Sequence, residues 1–102
     1  MHLGRSGSYP AARDLFQLIV DARREDNAYG VEHRDTLIAR HELAHWTGRV
    51  KDAAGARDQF AALLPVVERI FGREDAYTLI ARASLAAWTQ RAGMGSVARG
   101  WA

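Results

Sequence analysis

The chain has 102 residues, 48% of them hydrophobic and 25% charged, with fourteen basic against twelve acidic side chains and a formal net charge of +2. That length holds a single domain, residues 1–102, too short for a large enclosed core, and the mixed charges leave no basic stripe of the kind that tracks nucleic acid. The lack of cysteine excludes disulfides and thiolate zinc sites, and no apolar run approaches the roughly 18 residues that cross a membrane, so the expected setting is cytoplasmic.

The opening MHLGRSGSYP has no apolar region of the secretory kind. Alternating β-branched runs and hairpin turn pairs are missing throughout, so the whole chain reads as helix. The first helix is expected over about residues 9–27. Ser8 is a good N-cap and Pro10 is tolerated in the first turn. Ala12, Leu15, Phe16, Ile19 and Ala22, with Leu18 beside them, recur at helical spacing. Asn27-Ala28-Tyr29-Gly30 reads as the stop.

The second helix is expected over 35–48, capped by Asp35 or Thr36 and ended by Gly48, with Leu37, Ile38, Leu43, Ala44 and Trp46 as its apolar face. The third, over 52–71, carries Ala56, Phe60, Leu63, Leu64, Val67, Ile70 and Phe71 and stops at Gly72. Pro65 lies inside it, and an interior proline costs on the order of 3 kcal/mol and predicts a bend. The fourth runs over about 76–91 with Leu79, Ile80, Leu85, Ala86 and Trp88. The tail, 93–102, is expected to be frayed or only partly helical.

The chain repeats itself. Residues 36–49, TLIARHELAHWTGR, return 42 positions later as 78–91, TLIARASLAAWTQR, with ten of fourteen positions identical. Arg13-Asp14-Leu15-Phe16 matches Arg57-Asp58-Gln59-Phe60 at an offset of 44, and the two extra residues are absorbed before Gly30, which matches Gly72 at 42. A fixed period of this size marks a stacked repeat architecture.

This pattern resembles the tetratricopeptide repeat, in the long version of about 42 residues found in kinesin light chains and many actinobacterial proteins. Gly7, Tyr9, Ala12 and Phe16 match the family's turn and helix B. Leu43-Ala44 and Leu85-Ala86 match the leucine–small pair of helix A, and Ala56 with Phe60 repeats helix B. The segment from Gly30 to Leu37 resembles the loop joining one long repeat to the next. Lys51 stands where the family has its turn glycine, and Val31, Arg34, Arg73 and Ala76 stand at the usual loop prolines. The resemblance covers residues 4–93. It implies an all-α superhelix of about two repeats in the order B, A, B, A, built from antiparallel helix pairs.

Residues 41–45, HELAH, also spell a zinc-protease motif, two histidines one turn apart with a glutamate to activate water. His33, Glu32 and His2 are the nearby candidates for a third ligand. In the second copy His41, Glu42 and His45 become Ala83, Ser84 and Ala87. The framework is repeated while the motif letters vary, and the strand that holds substrate in such enzymes has no counterpart here. The resemblance assigns the variable positions of helix A to a groove that grips a partner peptide: Ile38, His41, His45 and Arg49, then Ile80, Ala83, Ala87 and Arg91. The expected function is therefore a non-catalytic protein-interaction module, or part of a longer array, with no cofactor. Its alternatives are a zinc hydrolase using residues 41–45 and a helical DNA-binding regulator. Exposed apolar faces on the first and last helices further imply a symmetric homodimer.

Overall fold

Four α-helices account for nearly all the described residues, and no strand occurs among them. The computed structural model describes the backbone over residues 8–25 and 33–101 and the side chains over 8–24 and 33–94. The helices are α1 (Tyr9–Glu25), α2 (Arg34–Arg49), α3 (Ala53–Phe71) and α4 (Ala76–Trp101). The expected stop at 27–30, the glycine at 7, the joining loop through Glu32 and the ligand candidates His2 and Glu32 lie outside the described residues.

Each helix packs on the next, α1 on α2, α2 on α3 and α3 on α4. Successive helices run antiparallel. Tyr9 at the start of α1 meets Arg49 at the end of α2, and Glu68 late in α3 meets Arg82 early in α4. Two contacts between α2 and α4 span the same sequence separation: the Tyr77 hydroxyl lies 3.5 Å from the Leu37 carbonyl, and the Trp88 indole lies against Gly48. Those helices therefore run parallel and in register, one repeat apart.

The main core is where α2, α3 and α4 meet. Leu37, Ala44, Ala56, Phe60, Leu63, Val67 and Trp88 form one buried cluster, flanked by Tyr77 and Leu85. Ala56, Phe60, Leu63 and Val67 fall at four-, three- and four-residue steps, one face of α3. Burying each large side chain among them contributes about 1.5–3 kcal/mol. Pro65 sits on the exposed face of α3, which continues through it as one α-helix. A smaller cluster joins Val20 of α1 to Ala39 and Leu43 of α2, with Phe16 and Ile19 beside them. The stripe of α1 is thus Ala12, Phe16, Ile19 and Val20. Leu15 and Leu18, expected in it, are 41% and 68% exposed, and Ala22 is exposed too, because among the described residues α1 packs on α2 alone.

Several boundaries differ from expectation for local reasons. His33, not Asp35 or Thr36, caps α2: its Nδ1 accepts from the Asp35 N–H at 3.1 Å. Thr36 faces inward instead and is fully buried, as is Thr78, whose hydroxyl donates to the Gly72 carbonyl at 2.6 Å. Gly48 does not end α2; it lies within the helix, and a Cβ there would overlap the Trp88 ring. The chain reverses at Lys51, which takes φ 71°, the left-handed region that favours glycine. Asp52 then caps α3, accepting from the Gly55 N–H at 2.9 Å. Helix α4 continues past the expected end at 91 to Trp101. No proline interrupts it, Gly93 takes no positive φ, and a helical glycine costs only about 1 kcal/mol.

Two substitutions separate these roles. Lys51→Gly removes a left-handed penalty of about 1–2 kcal/mol, less the roughly 0.5–1 kcal/mol glycine loses in the unfolded chain; urea titration is expected to show a net gain. Gly48→Ala forces the Trp88 ring out of the seam and is expected to cost about 1–3 kcal/mol in the same titration.

Candidate partner-binding site

On α2, Ile38, His41, His45 and Arg49 lie one turn apart and share a face, but the fold treats them differently. Ile38 is 44% exposed. It borders an open hollow of about 220 Å³ with Asp35 and Ala39 of α2 and Phe16, Ile19 and Arg23 of α1. His41 is half-buried, wedged edge-on against Phe60 at 5.1 Å and beside Tyr77 at 5.2 Å between ring centroids. Its Nδ1 is buried without a hydrogen-bond partner. His45 stands edge-on to Trp46 at 4.7 Å. Arg49 donates to the Tyr9 hydroxyl at 2.8 Å and lies over the same ring.

On α4 the matching residues Ile80, Ala83, Ala87 and Arg91 are all exposed. Arg91 stacks over the Trp88 ring at 4.6 Å. The two stripes run on parallel helices, spaced by roughly the 8–10 Å of packed helices. Arg49 and Arg91 thus keep their charge at the surface while an aromatic face holds each in place.

Burial lowers the pKa of both histidines below the ordinary 6.5. For His41, Glu42 opposes the shift and His45 adds to it; for His45, Glu42 opposes it and Arg49 adds to it. Burial and then Glu42 push the Tyr77 hydroxyl upward. Both imidazoles are therefore neutral at pH 7, the form that binds a metal. Yet His41 is walled in by rings, and the His33 Nδ1 is committed to its cap. Among the described residues no group of three or more His, Asp or Glu side chains is placed to hold a metal ion.

One feature escaped the sequence reading. Arg24 of α1 and Arg40 of α2 border a second hollow, about 300 Å³, with Gln17 and Val20 of α1, Leu43 of α2 and Gln59 and Ala62 of α3. Burial and then the charge of Arg24 lower the pKa of Arg40. The signal was available: at three and four residues on either side of Arg40 stand only Thr36, Leu37, Leu43 and Ala44, so no carboxylate on its own helix offsets it.

No family model, curated protein or solved structure matches the chain. No helix among the described residues is long and apolar enough to cross a membrane.

The neutral histidines set a pH dependence. The unfolded chain takes up protons near pH 6.5 while the folded His41 resists, so the unfolded state binds more protons and stability falls as pH drops below 6.5. Thermal unfolding is expected to show a level midpoint above that pH and a declining one below it. In His41→Leu the decline is expected to be shallower.

Proposed function

We propose that the chain is a non-catalytic protein-interaction module of the tetratricopeptide-repeat type, and that one of the surfaces it binds is the opposite end of another copy of itself. The single observation that carries this reading is an inequality between its two copies. Leu37 is fully buried and its equivalent Leu79 is 50% exposed. Ala44, Thr47 and Gly48 are buried, whereas Ala86, Thr89 and Gln90 are exposed. Residues that face the preceding helix behave alike in both copies: Ala39 and Ala81 are both buried. Helix α4 thus repeats the face that α2 uses against α3, without a helix upon it among the described residues.

The matching seat is at the other end. Leu37 and His41 of α2 pack into the corner between α3 and α4, against Phe60, Leu63 and Tyr77. One repeat earlier the equivalents are Phe16, Ile19 and Asp35, and these line the 220 Å³ hollow between α1 and α2. In the proposed contact α4 of one copy enters that hollow in the next, Leu79 standing for Leu37 and Ala83 for His41. Such a contact joins unlike faces, so it propagates head to tail as an open chain, in place of the symmetric dimer expected from the sequence. Gln90 stands where Gly48 admits the indole, so this joint is looser than the internal one and reversible. The stripe positions outside that contact, His45 and Arg49 on α2 and Ala87 and Arg91 on α4, remain available to a peptide, and the cysteine-free composition suits the reducing cytoplasm.

Sedimentation tests it. The wild-type chain is expected to grow in mass with concentration past a dimer. Leu79→Glu blocks one face and Ile38→Glu the other; both positions are exposed, and circular dichroism checks that both variants fold. Each alone is expected to stay monomeric, and their equimolar mixture to form a heterodimer and nothing larger. A monomeric wild type at millimolar concentration, or a mixture that stays monomeric, overturns the reading.

A further inference from the structure

The two copies differ in charge at one place where their framework agrees. In the second unit Arg82 of α4 donates to the Glu68 carboxylate of α3 at 3.1 Å. Shifted back by the repeat, Arg82 becomes Arg40 and Glu68 becomes Arg24, at the same offsets of 42 and 44 that align the two helices. The second unit holds a carboxylate against its arginine; the first holds a second guanidinium. Among the described residues neither Arg24 nor Arg40 has an ion pair.

The surroundings of this pair are those of a binding site. Arg24 and Arg40 border the 300 Å³ hollow, which also has the side-chain amides of Gln17 and Gln59 on its wall and Val20 and Leu43 as apolar lining. Gln59 is anchored, its Oε1 3.1 Å from the Thr47 hydroxyl. Gln17 is held by Asp21, to which its Nε2 donates at 3.0 Å. Arg40 is half-buried, which weakens its contact with water and strengthens its attraction for an incoming anion. Arg40 also projects from the side of α2 away from the Ile38–Arg49 stripe, so this hollow is separate from the surfaces discussed above.

We propose that the Arg24–Arg40 hollow is a binding site for a carboxylate on a partner protein, an acidic side chain flanked by an aliphatic residue. The carboxylate takes the place that Glu68 fills in the second unit, between guanidiniums that accept it through paired N–H donors. The aliphatic neighbour rests on Val20 and Leu43. The choice of carboxylate over other anions comes from that internal precedent: the same framework, one repeat on, holds one. The inference rests on the chain being an interaction module, but it does not depend on end-to-end assembly.

The test uses the full chain, at a concentration where sedimentation shows monomer, and two acetylated, amidated peptides, Leu-Glu-Leu-Glu and Leu-Gln-Leu-Gln, with inorganic phosphate as a third probe. Titration followed by NMR is expected to shift the Arg24 and Arg40 Nε–H and the Gln59 amide signals with the glutamate peptide. The glutamine peptide is expected to bind at least about tenfold more weakly, the loss of one charge-assisted contact. Added salt is expected to weaken the glutamate complex. Arg24→Glu replaces two like charges by the pair of the second unit, so it is expected to raise the unfolding midpoint slightly and abolish binding. Arg40→Gln is expected to abolish binding without that gain. Equal binding of both peptides, equal response to phosphate, or binding that survives Arg24→Glu overturns the proposal. Failure here leaves the sedimentation result untouched, and a monomeric wild type leaves this titration readable.

Discussion

Everything in this fold depends on how closely α2 and α4 approach. The two helices are parallel and one repeat apart, and the Trp88 indole fills the space that a side chain at position 48 would need. Trp88 belongs to the same cluster as Leu37, Phe60 and Val67, so the glycine lets α4 place its indole in the core that α2 and α3 share. Helices of this size have one apolar stripe each and bury it only by leaning on neighbours. The ring of His41 closes the same seam two turns further up, between Phe60 and Tyr77.

From that seam follows the difference between the two copies. Identical letters have different fates according to what lies beside them. Leu37 is core and Leu79 is surface; the residue is the same and the neighbour is not. Non-identical letters show the reverse relation. Glu68 and Arg24 occupy equivalent backbone positions, and the change of sign turns an ion pair into a pair of cations bordering one hollow. An exposed pair such as Arg82–Glu68 contributes little to stability, so the framework tolerates its replacement. Repetition thus frees individual positions to vary while the packing residues stay in place.

The architecture was largely legible in the sequence because hydrophobic period and internal repetition are both properties of residue order. The bounds of α3 were readable because Asp52 and Gly72 are unambiguous punctuation. Two kinds of feature were not. Caps depend on side-chain direction: His33 and Asp75, equivalent positions, both accept N–H groups two residues on, while Thr36, a better cap by composition, is turned inward. The exposed side of a helix depends on what fails to cover it, which is why Leu15 and Leu18 looked like core. Within the 41–45 motif, the comparison of copies marked the letters as variable filling, but the wedging of His41 between two rings needed coordinates. The Arg24–Arg40 pair was recoverable from the repeat alone, had charge been compared across copies as well as shape.

The turn at Lys51 says what reverses a chain. Position 51 takes a left-handed backbone although it is lysine, and its equivalent, Gly93, stays helical although glycine bends freely. Local preference predicts the opposite at both places. What differs is the segment that follows. After Lys51 come Ala56 and Phe60, the start of an apolar face that α2 can bury; after Gly93 the same steps hold Ala98 and Ala102. With only alanine at those two steps, turning back gains too little to end the helix. Topology here is decided downstream of the turn: a residue that resists the bend accepts it when a surface is waiting, and a permissive one passes straight through when none is.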